Sequence, residues 1–156
     1  MRHRPATIDA LLMRFFFYGT LLDSDVTALV LGRRLPPGTF VPAVLPGYSR
    51  WRVQGGSYPI SVPDRKGQVS GAIVGGLSTR DVARLAAFEG SGYRIARLKV
   101  KVGEAMTSVS VFEPIVTKLK PTNRPWDLEL WQRRDKRAFV GRLTRALNGR
   151  RGYSRP

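Results

Sequence analysis

The sequence contains no cysteine and only one histidine, His3. The absence of cysteine excludes disulfides, thiolate metal sites and a cysteine nucleophile. With a single histidine close to the terminus, we expect neither a histidine-based zinc site nor serine–histidine hydrolysis. No apolar run reaches the length of a membrane span, and the N-terminus does not resemble a secretory signal. We therefore expect a cytoplasmic protein that needs no metal or cofactor.

Acidic residues are also scarce. The chain has 27 Lys and Arg against 11 Asp and Glu, which gives a formal net charge of +16. The excess is concentrated in residues 117–156, where twelve basic residues face three acidic ones. Such a segment can bind nucleic acid, an anionic membrane or an acidic partner weakly. It can equally be a solvated helix face and tail, and the charge alone does not decide between these alternatives.

The length of 156 residues fits one domain, and a hydrophobic content of 42% is enough to form a core. We expect a loose arm over 1–13, a strand-rich region over 14–116, a helix over 125–147 and a basic tail over 148–156. No repeat or second domain is evident. The oligomeric state cannot be inferred from these patterns.

Short strands dominate the middle of the chain. Aromatic and β-branched runs between Gly and Pro punctuation predict strands near 14–18, 39–45, 48–53, 59–62, 69–74, 93–102 and 107–112. Helices are predicted over 24–31, 79–90 and 126–147. This composition favours an α+β fold: a small closed or nearly closed antiparallel or mixed β-barrel with flanking helices. The mouth of such a barrel can form a ligand cavity.

Glu89 is a carboxylate at a position where the helical pattern calls for an apolar side chain. Val82, Leu85, Ala86 and Glu89 follow the i, i+3, i+4, i+7 spacing of one helix face. No basic residue lies three or four positions from Glu89. A carboxylate on a buried face tends to have a raised pKa and can serve as a general base and acid. The alternative is a glutamate at a helix end that is solvated or bonded to nearby backbone.

A second candidate site is the segment Tyr18, Gly19, Thr20 and Leu21, between the first strand and the first helix. Gly19 permits a sharp turn and the close approach of a ligand. The amides that follow can point toward an anion or a polarised carbonyl, and Thr20 adds a hydroxyl. Many strand–glycine–turn junctions bind nothing, so this signal is weak by itself. It is not a phosphate-binding loop, because it has no Gly-Lys-Ser or Gly-Lys-Thr.

Taken together, the motifs resemble the γ-glutamylcyclotransferase superfamily. The resemblance rests on the order of Phe17 to Leu21, Leu45 to Tyr48, Tyr58 to Asp64, Gly71 and Phe88 to Arg94. It covers residues 14–116, and the predicted C-terminal helix is similar to that of some bacterial members. Tyr-Gly-Thr-Leu, rather than Tyr-Gly-Ser-Asn-Leu, is closer to the γ-glutamylamine branch than to the glutathione-type enzymes.

The resemblance implies a small mixed barrel with flanking helices and a cyclising enzyme. It implies that Tyr18, Gly19, Thr20 and Leu21 bind the γ-glutamyl group, that Glu89 transfers protons and that Tyr93 lines the pocket. The product would be 5-oxoproline, released with a free amine or amino acid. The substrate carries its own nucleophile, so no metal, cysteine or histidine is needed. The rival hypothesis is a non-catalytic basic barrel that binds nucleic acid or another polyanion.

Overall fold

A computed structural model describes residues 13–149 and shows a closed, mixed β-barrel. Five strands form the barrel in the order β3-β1-β5-β4-β2, and β2 pairs again with β3 to close it. Only β1 and β5 are parallel among these pairs. A sixth strand, β6, extends the sheet beside β2. The strands are β1 (Phe15–Phe17), β2 (Phe40–Val53), β3 (Pro59–Val74), β4 (Tyr93–Val102), β5 (Ala105–Pro114) and β6 (Pro121–Pro125).

Four α-helices flank the barrel in the described residues: α1 (Ser24–Leu31), α2 (Thr79–Glu89), α3 (Leu128–Arg134) and α4 (Lys136–Gly149). A short 3₁₀ turn, Thr20–Leu22, precedes α1. Asp23 caps α1 by accepting hydrogen bonds from the amides of Asp25 and Val26. Ser78 and Asp81 form a reciprocal capping box at the start of α2. These caps place the starts of both helices where their sequence signals predicted them.

Strand alternation divides the buried side chains into two cores. Phe16 on β1 faces the barrel interior, while Phe15 and Phe17 face the layer under the helices. The interior core contains Phe16, Tyr18, Ala43, Leu45, Val69, Ile73, Val100, Val109 and Val111. The helix-side core is larger and includes Leu85 and Phe88 of α2, Trp131 of α3, and Phe139 and Leu143 of α4. Strand β1 therefore contributes to both cores at once.

The closed mixed barrel with flanking helices confirms the predicted fold, but several element boundaries differ. The predicted strands at 39–45 and 48–53 form one strand, because a register shift between Pro46 and Tyr48 accommodates Gly47 with φ of +84°. The predicted strands at 59–62 and 69–74 likewise join into β3. Pro121–Pro125, expected to be a break, pairs with β2 instead.

The predicted helix over 125–147 is two helices. Pro125 ends β6 rather than starting a helix, and the side chain of Asp127 caps α3 by accepting from the Leu130 amide. Asp135 separates α3 from α4 and bonds to Arg52 on β2 at 3.2 Å. The buried face of α2 also differs from the expected one, because Ala86 is exposed while Phe88 is buried.

The predicted arm (1–13) and basic tail (148–156) lie outside the described residues, except for Met13, Asn148 and Gly149. Within residues 13–149, no helix combines the length and the apolar character needed to cross a membrane.

Closure of the barrel requires a glycine at position 71. A Cβ atom added to Gly71 would lie 2.2 Å from the Phe17 carbonyl oxygen and 2.7 Å from the Phe16 ring. We expect Gly71→Ala to force β1 and β3 apart and to lower the free energy of unfolding by about 1–3 kcal/mol or more. Urea denaturation monitored by tryptophan fluorescence measures this change.

Gly75→Ala is the matched control, because a Cβ there meets only the Arg14 side chain at 3.5 Å. We expect its midpoint to stay close to that of the parent protein. Equal losses of stability in the two variants would contradict the requirement for close β1–β3 contact.

Candidate active site

One narrow pocket at the mouth of the barrel brings together every site residue predicted from the sequence. Its walls include Tyr18, Gly19, Thr20, Leu21, Glu89 and Tyr93, together with Phe16, Phe17, Pro59 and Phe112. These residues come from the end of β1, the 3₁₀ turn, β3, the end of α2, and strands β4 and β5. The sequence segments that suggested a site are therefore adjacent in space.

Glu89 reaches the pocket because α2 is held by its other face. Phe88 is buried and packs edge-on against Phe139 of α4, with ring centroids 6.3 Å apart. Glu89 is the last residue of α2, is half-buried, and lines the pocket. Since successive helical residues point about 100° apart, anchoring Phe88 in the core directs Glu89 to the margin of that core.

The loop that follows β1 is held by hydrogen bonds at both ends. The Tyr18 hydroxyl donates to the Phe112 carbonyl at 2.8 Å, so this side chain anchors the loop in the barrel. The Leu22 amide donates to the Gly19 carbonyl at 2.9 Å and closes the 3₁₀ turn. The amides of Thr20 and Leu21 stand at the start of that turn and have no acceptor within it.

The hydroxyl of Thr20 is a buried polar group in the pocket wall. The residue is 1% exposed, and its Oγ1 atom has no hydrogen-bond partner among residues 13–149. Burying an unsatisfied hydroxyl costs free energy, so most buried hydroxyls in folded proteins are bonded. Thr27, which is equally buried, follows that rule by donating to the Leu21 carbonyl at 2.6 Å. Thr20, which lines the pocket, therefore differs from its buried neighbour Thr27 in having a hydroxyl without a partner among the described residues.

Arg50, which no sequence motif singled out, supports the loop on the side away from the pocket lining. One terminal nitrogen, Nη1, donates to the Tyr18 carbonyl at 2.8 Å and to the Ser70 carbonyl at 2.9 Å. The guanidinium lies over the Trp126 ring, 5.2 Å from its centroid. Burial lowers the pKa of Arg50 from its ordinary value. Because an arginine remains charged even so, it acts here as a fixed donor that joins β1, β3 and the region before α3.

Pro59 and Tyr93 form the opposite wall and make the pocket narrow. The Tyr93 hydroxyl lies 3.5 Å from the Pro59 carbonyl, to which it donates. A Cβ atom at Gly19 would lie 2.9 Å from Pro59, so only glycine fits there without displacing the proline. The volume of the pocket is about 20 Å³, which is close to the room that one water molecule requires. Pro59 was part of the sequence motif but was not predicted to line the site.

The pocket is lined by very few charged side chains. Among its described lining residues, Glu89 is the only one with a carboxylate, and none carries a lysine or arginine side chain. Within residues 13–149, no three His, Asp or Glu side chains are grouped as a metal site would require.

The barrel and its flanking helices have the architecture of the γ-glutamylcyclotransferase fold. A solved structure named gamma-glutamyl cyclotransferase superimposes with a TM-score of 0.55 over 66% of each chain, at 18% sequence identity. Residues 15–132 match the family model described as "Gamma-glutamyl cyclotransferase, AIG2-like". The chain belongs to this family, which confirms the superfamily identified from its motifs.

Relatives from Arabidopsis thaliana extend the similarity over most of the chain. AIG2-like protein C is 32% identical over 139 residues, which are 87% of this chain and 78% of that protein. AIG2-like protein B is 29% identical over 143 residues, covering 90% of this chain and 81% of that protein. The solution structure of another Arabidopsis thaliana protein has a TM-score of 0.63 at 28% identity, covering 92% of this chain and 96% of that one.

The contacts of Arg50 predict that it fixes the loop. Arg50→Gln removes the donor shared by the Tyr18 and Ser70 carbonyls, and an unsatisfied buried acceptor costs about 1–3 kcal/mol. We expect a lower melting temperature and faster hydrogen exchange at the Leu22 amide, whose bond to the Gly19 carbonyl closes the turn.

Arg97→Gln is the control, because Arg97 is exposed on β4 and, among residues 13–149, its side chain donates a hydrogen bond only to the Ser110 hydroxyl, at 3.5 Å. Exchange at the Leu22 amide should be unaffected in this variant. If Arg50→Gln left loop exchange at the parent rate, the bracing role of Arg50 would be refuted.

Proposed function

We propose that this protein is a cyclotransferase that converts a γ-glutamyl amine or γ-glutamyl amino acid to 5-oxoproline and a free amine. One observation carries the proposal: Glu89 and the Tyr18–Leu21 loop, far apart in sequence, line the same pocket. Membership of the γ-glutamyl cyclotransferase, AIG2-like family supports the reaction class. A carboxylate, a turn with available donors and a narrow enclosure that includes aromatic side chains match the requirements of this reaction.

The substrate supplies the nucleophile in this mechanism. Glu89 accepts a proton from the α-ammonium group, and the resulting amine attacks the γ-amide carbonyl carbon. A new nitrogen–carbon bond closes the five-membered lactam ring, and the former amide bond breaks. Glu89 then gives that proton to the departing nitrogen as the amide bond breaks. The ring nitrogen still carries one proton too many, and it loses this proton to the freed Glu89 carboxylate. Glu89 passes this second proton to the released amine, which leaves as an ammonium ion beside the neutral lactam. The walls of the pocket contribute by holding the chain folded, so that amine and carbonyl meet.

Negative charge develops on the carbonyl oxygen during attack. The Thr20 and Leu21 amides have no acceptor inside their turn, and the Thr20 hydroxyl is buried in the wall without a partner among the described residues. We assign these groups to the γ-glutamyl carbonyl and to the oxyanion that forms from it. The hydrogen bonds from Arg50 and from the Tyr18 hydroxyl fix the loop beforehand. Donors held in place stabilise the transition state without reorganising during the reaction.

Substrate entry requires the pocket to widen. A volume of about 20 Å³ is too small for a γ-glutamyl group. The Tyr93 side chain is half-buried, and its bond to the Pro59 carbonyl is long, at 3.5 Å. The Tyr18–Leu21 loop is held by the shorter hydrogen bonds from the Tyr18 hydroxyl and from Arg50, so we expect it to stay in place while the pocket widens.

The rival function, polyanion binding by the C-terminal basic segment, is favoured by a separate observation. Arg133, Arg134, Arg142 and Arg145 are exposed on α3 and α4 and form no ion pair within residues 13–149. A salt-sensitive gel shift of nucleic acid, without 5-oxoproline release from any substrate, would favour this function. Release of 5-oxoproline from a panel of γ-glutamyl amides would favour the enzyme.

The proton-transfer role predicts the effect of Glu89→Gln. The amide has nearly the same shape but cannot accept the proton, so we expect kcat to fall about 10²–10⁴-fold. The assay is 5-oxoproline release, with the melting temperature as a check on folding. Glu104→Gln, in the exposed β4–β5 turn, removes the same charge away from the pocket and should keep parental turnover. Parental turnover in a folded Glu89→Gln protein would eliminate Glu89 as the base.

The unpartnered hydroxyl predicts opposite effects on stability and activity for Thr20→Val. Valine has a similar shape and removes a buried polar group without a partner, so stability should be retained or rise slightly. Turnover should fall, because a donor to the carbonyl is lost. The measurements are the melting temperature and kcat/KM.

Thr27→Val is the stability control for this comparison. It deletes the hydrogen bond to the Leu21 carbonyl and should lower stability by about 1–3 kcal/mol. If Thr20→Val destabilised the protein as much as Thr27→Val, the Thr20 hydroxyl would have a structural bond instead of a free bonding capacity.

A further inference from the structure

A second and larger cavity lies away from the barrel mouth. It is an open groove of about 700 Å³ between α1 and the C-terminal helices, and it shares no lining residue with the Glu89 pocket. A volume of this size is in the range of small-molecule sites. The proposed mechanism uses none of its residues.

The floor of the groove is apolar and its rim is basic. Ala28 and Leu29 of α1 and Val140 of α4 form the floor, and each is only partly buried. Arg33 and Arg34 follow the end of α1, while Lys136 and Arg137 begin α4. Apolar surface beside a row of cations is complementary to a molecule that combines an apolar body with negative charge.

Ion pairing leaves an excess of positive charge on the groove. Arg33 bonds to Asp81 at 2.5 Å and Lys136 to Asp23 at 2.9 Å, but these two acids are only 5% and 2% exposed. They do not line the groove, whereas the cations they hold do. Asp23 and Asp81 therefore hold Lys136 and Arg33 from the buried side, and their carboxylates expose little negative charge at the groove.

Asp25 is the only acid among the described lining residues, and it is shared by two cations. It bonds to Arg34 at 2.5 Å and to Lys136 at 2.7 Å, and hydrogen bonds from these two groups lower the pKa of its carboxyl. Arg137 is exposed and forms no ion pair within residues 13–149. The groove thus presents four cations against one carboxylate.

We propose that this groove binds an amphiphilic organic anion, with its apolar body on Leu29 and Val140 and its anionic group at Arg34 and Arg137. The basic side chains of the groove favour a ligand with a negative charge. The partly exposed apolar side chains of its floor favour a ligand that also has an apolar body. Guanidinium groups bind phosphate and carboxylate oxygens with paired hydrogen bonds. Because Arg137 forms no ion pair within residues 13–149 and Arg34 shares Asp25 with Lys136, two guanidinium groups can contact the ligand, and a phosphate monoester, close to dianionic at pH 7 and with three acceptor oxygens, should bind more tightly than a carboxylate.

The test titrates the full-length protein with octyl phosphate below its micelle concentration, by calorimetry and by amide chemical-shift mapping. Octanoate, octyltrimethylammonium and inorganic phosphate are the comparison ligands. We expect saturable binding in the order octyl phosphate, then octanoate, with inorganic phosphate weaker and the cation not bound. Shifts should centre on Ala28, Leu29 and Val140, and should leave Gly19 and Tyr93 unchanged.

Removing groove cations and removing the groove carboxylate should change the affinity in opposite directions, which separates a charge effect from damage to the fold. The double variant Arg34→Gln with Arg137→Gln should lower the affinity for octyl phosphate about fivefold or more, because it removes two groove cations. The control Arg142→Gln with Arg145→Gln removes the same charge from exposed positions outside the groove and should change affinity less than twofold. Asp25→Asn should tighten binding about threefold, since Asp25 competes with the ligand for Arg34 and Lys136.

Several outcomes would overturn the proposal. Equal binding of octyl phosphate and octyltrimethylammonium would show an apolar surface without charge selection. Shifts at Gly19 and Thr20 in place of Ala28 and Val140 would assign the ligand to the barrel mouth. Equal losses in the two double variants would show a diffuse charge effect. Binding of an acidic amphipathic peptide, with no binding of the alkyl anions, would make the groove a docking surface for a protein partner instead.

Discussion

The whole architecture depends on the insertion of a three-residue strand, Phe15–Phe17, between β3 and β5. This strand closes the barrel, and its side chains alternate between the two cores. The insertion is possible because Gly71 lets the two backbones approach to a distance that no Cβ atom would allow. The chain leaves β1 directly into the loop from Tyr18 to Leu21. A constraint that closes the barrel therefore also sets the position of the candidate binding loop.

A continuous set of aromatic contacts connects the two halves of the site. Arg50, which holds the Tyr18 carbonyl, lies over Trp126, whose ring centroid is 6.2 Å from that of Trp131. Trp131 is 5.3 Å from Phe139, which packs on Phe88 at the end of α2. The loop and the helix that presents Glu89 are thus braced by the same aromatic cluster. For this reason α3 and α4, which lie outside the barrel, are expected to matter for the geometry of the pocket.

Much of the fold follows from local patterns in the sequence. The ends of α2 were predictable because Ser78, Asp81 and Gly90 give local signals that act within a few residues. The continuity of β2 was not predictable, because Pro46-Gly47 is a sequence typical of turns. Only the pairing of β2 with β3 makes Gly47 a bulge within one longer strand. The division at Asp135 was also not predictable. Its neighbours continue a helical pattern, while its side chain bonds to Arg52 on a distant strand.

The candidate site was predictable to a different extent for different residues. Tyr18 to Leu21 and Glu89 were marked by a motif and by a polar residue on an apolar helix face, and they meet in one pocket. Arg50 gave no such signal, because an alternating basic residue in a strand is normally exposed. Its role arises from contacts with residues 20 or more positions away, including Ser70 and Trp126. Support for a site is therefore harder to predict than the groups that line it.

Within residues 13–149, the basic groove and the candidate active site occupy different parts of the molecule. Among its described lining residues, the barrel-mouth pocket has no basic side chain, whereas the α1–α4 groove has four. Three acids at the groove are bound to these cations, and two of the three are nearly inaccessible to solvent. The groove proposed to bind an anion is therefore separate from the pocket around Glu89. For the same reason, we expect the proposed anion binding and the proposed cyclotransferase activity to be independent, so that each would be lost by substitution without the other.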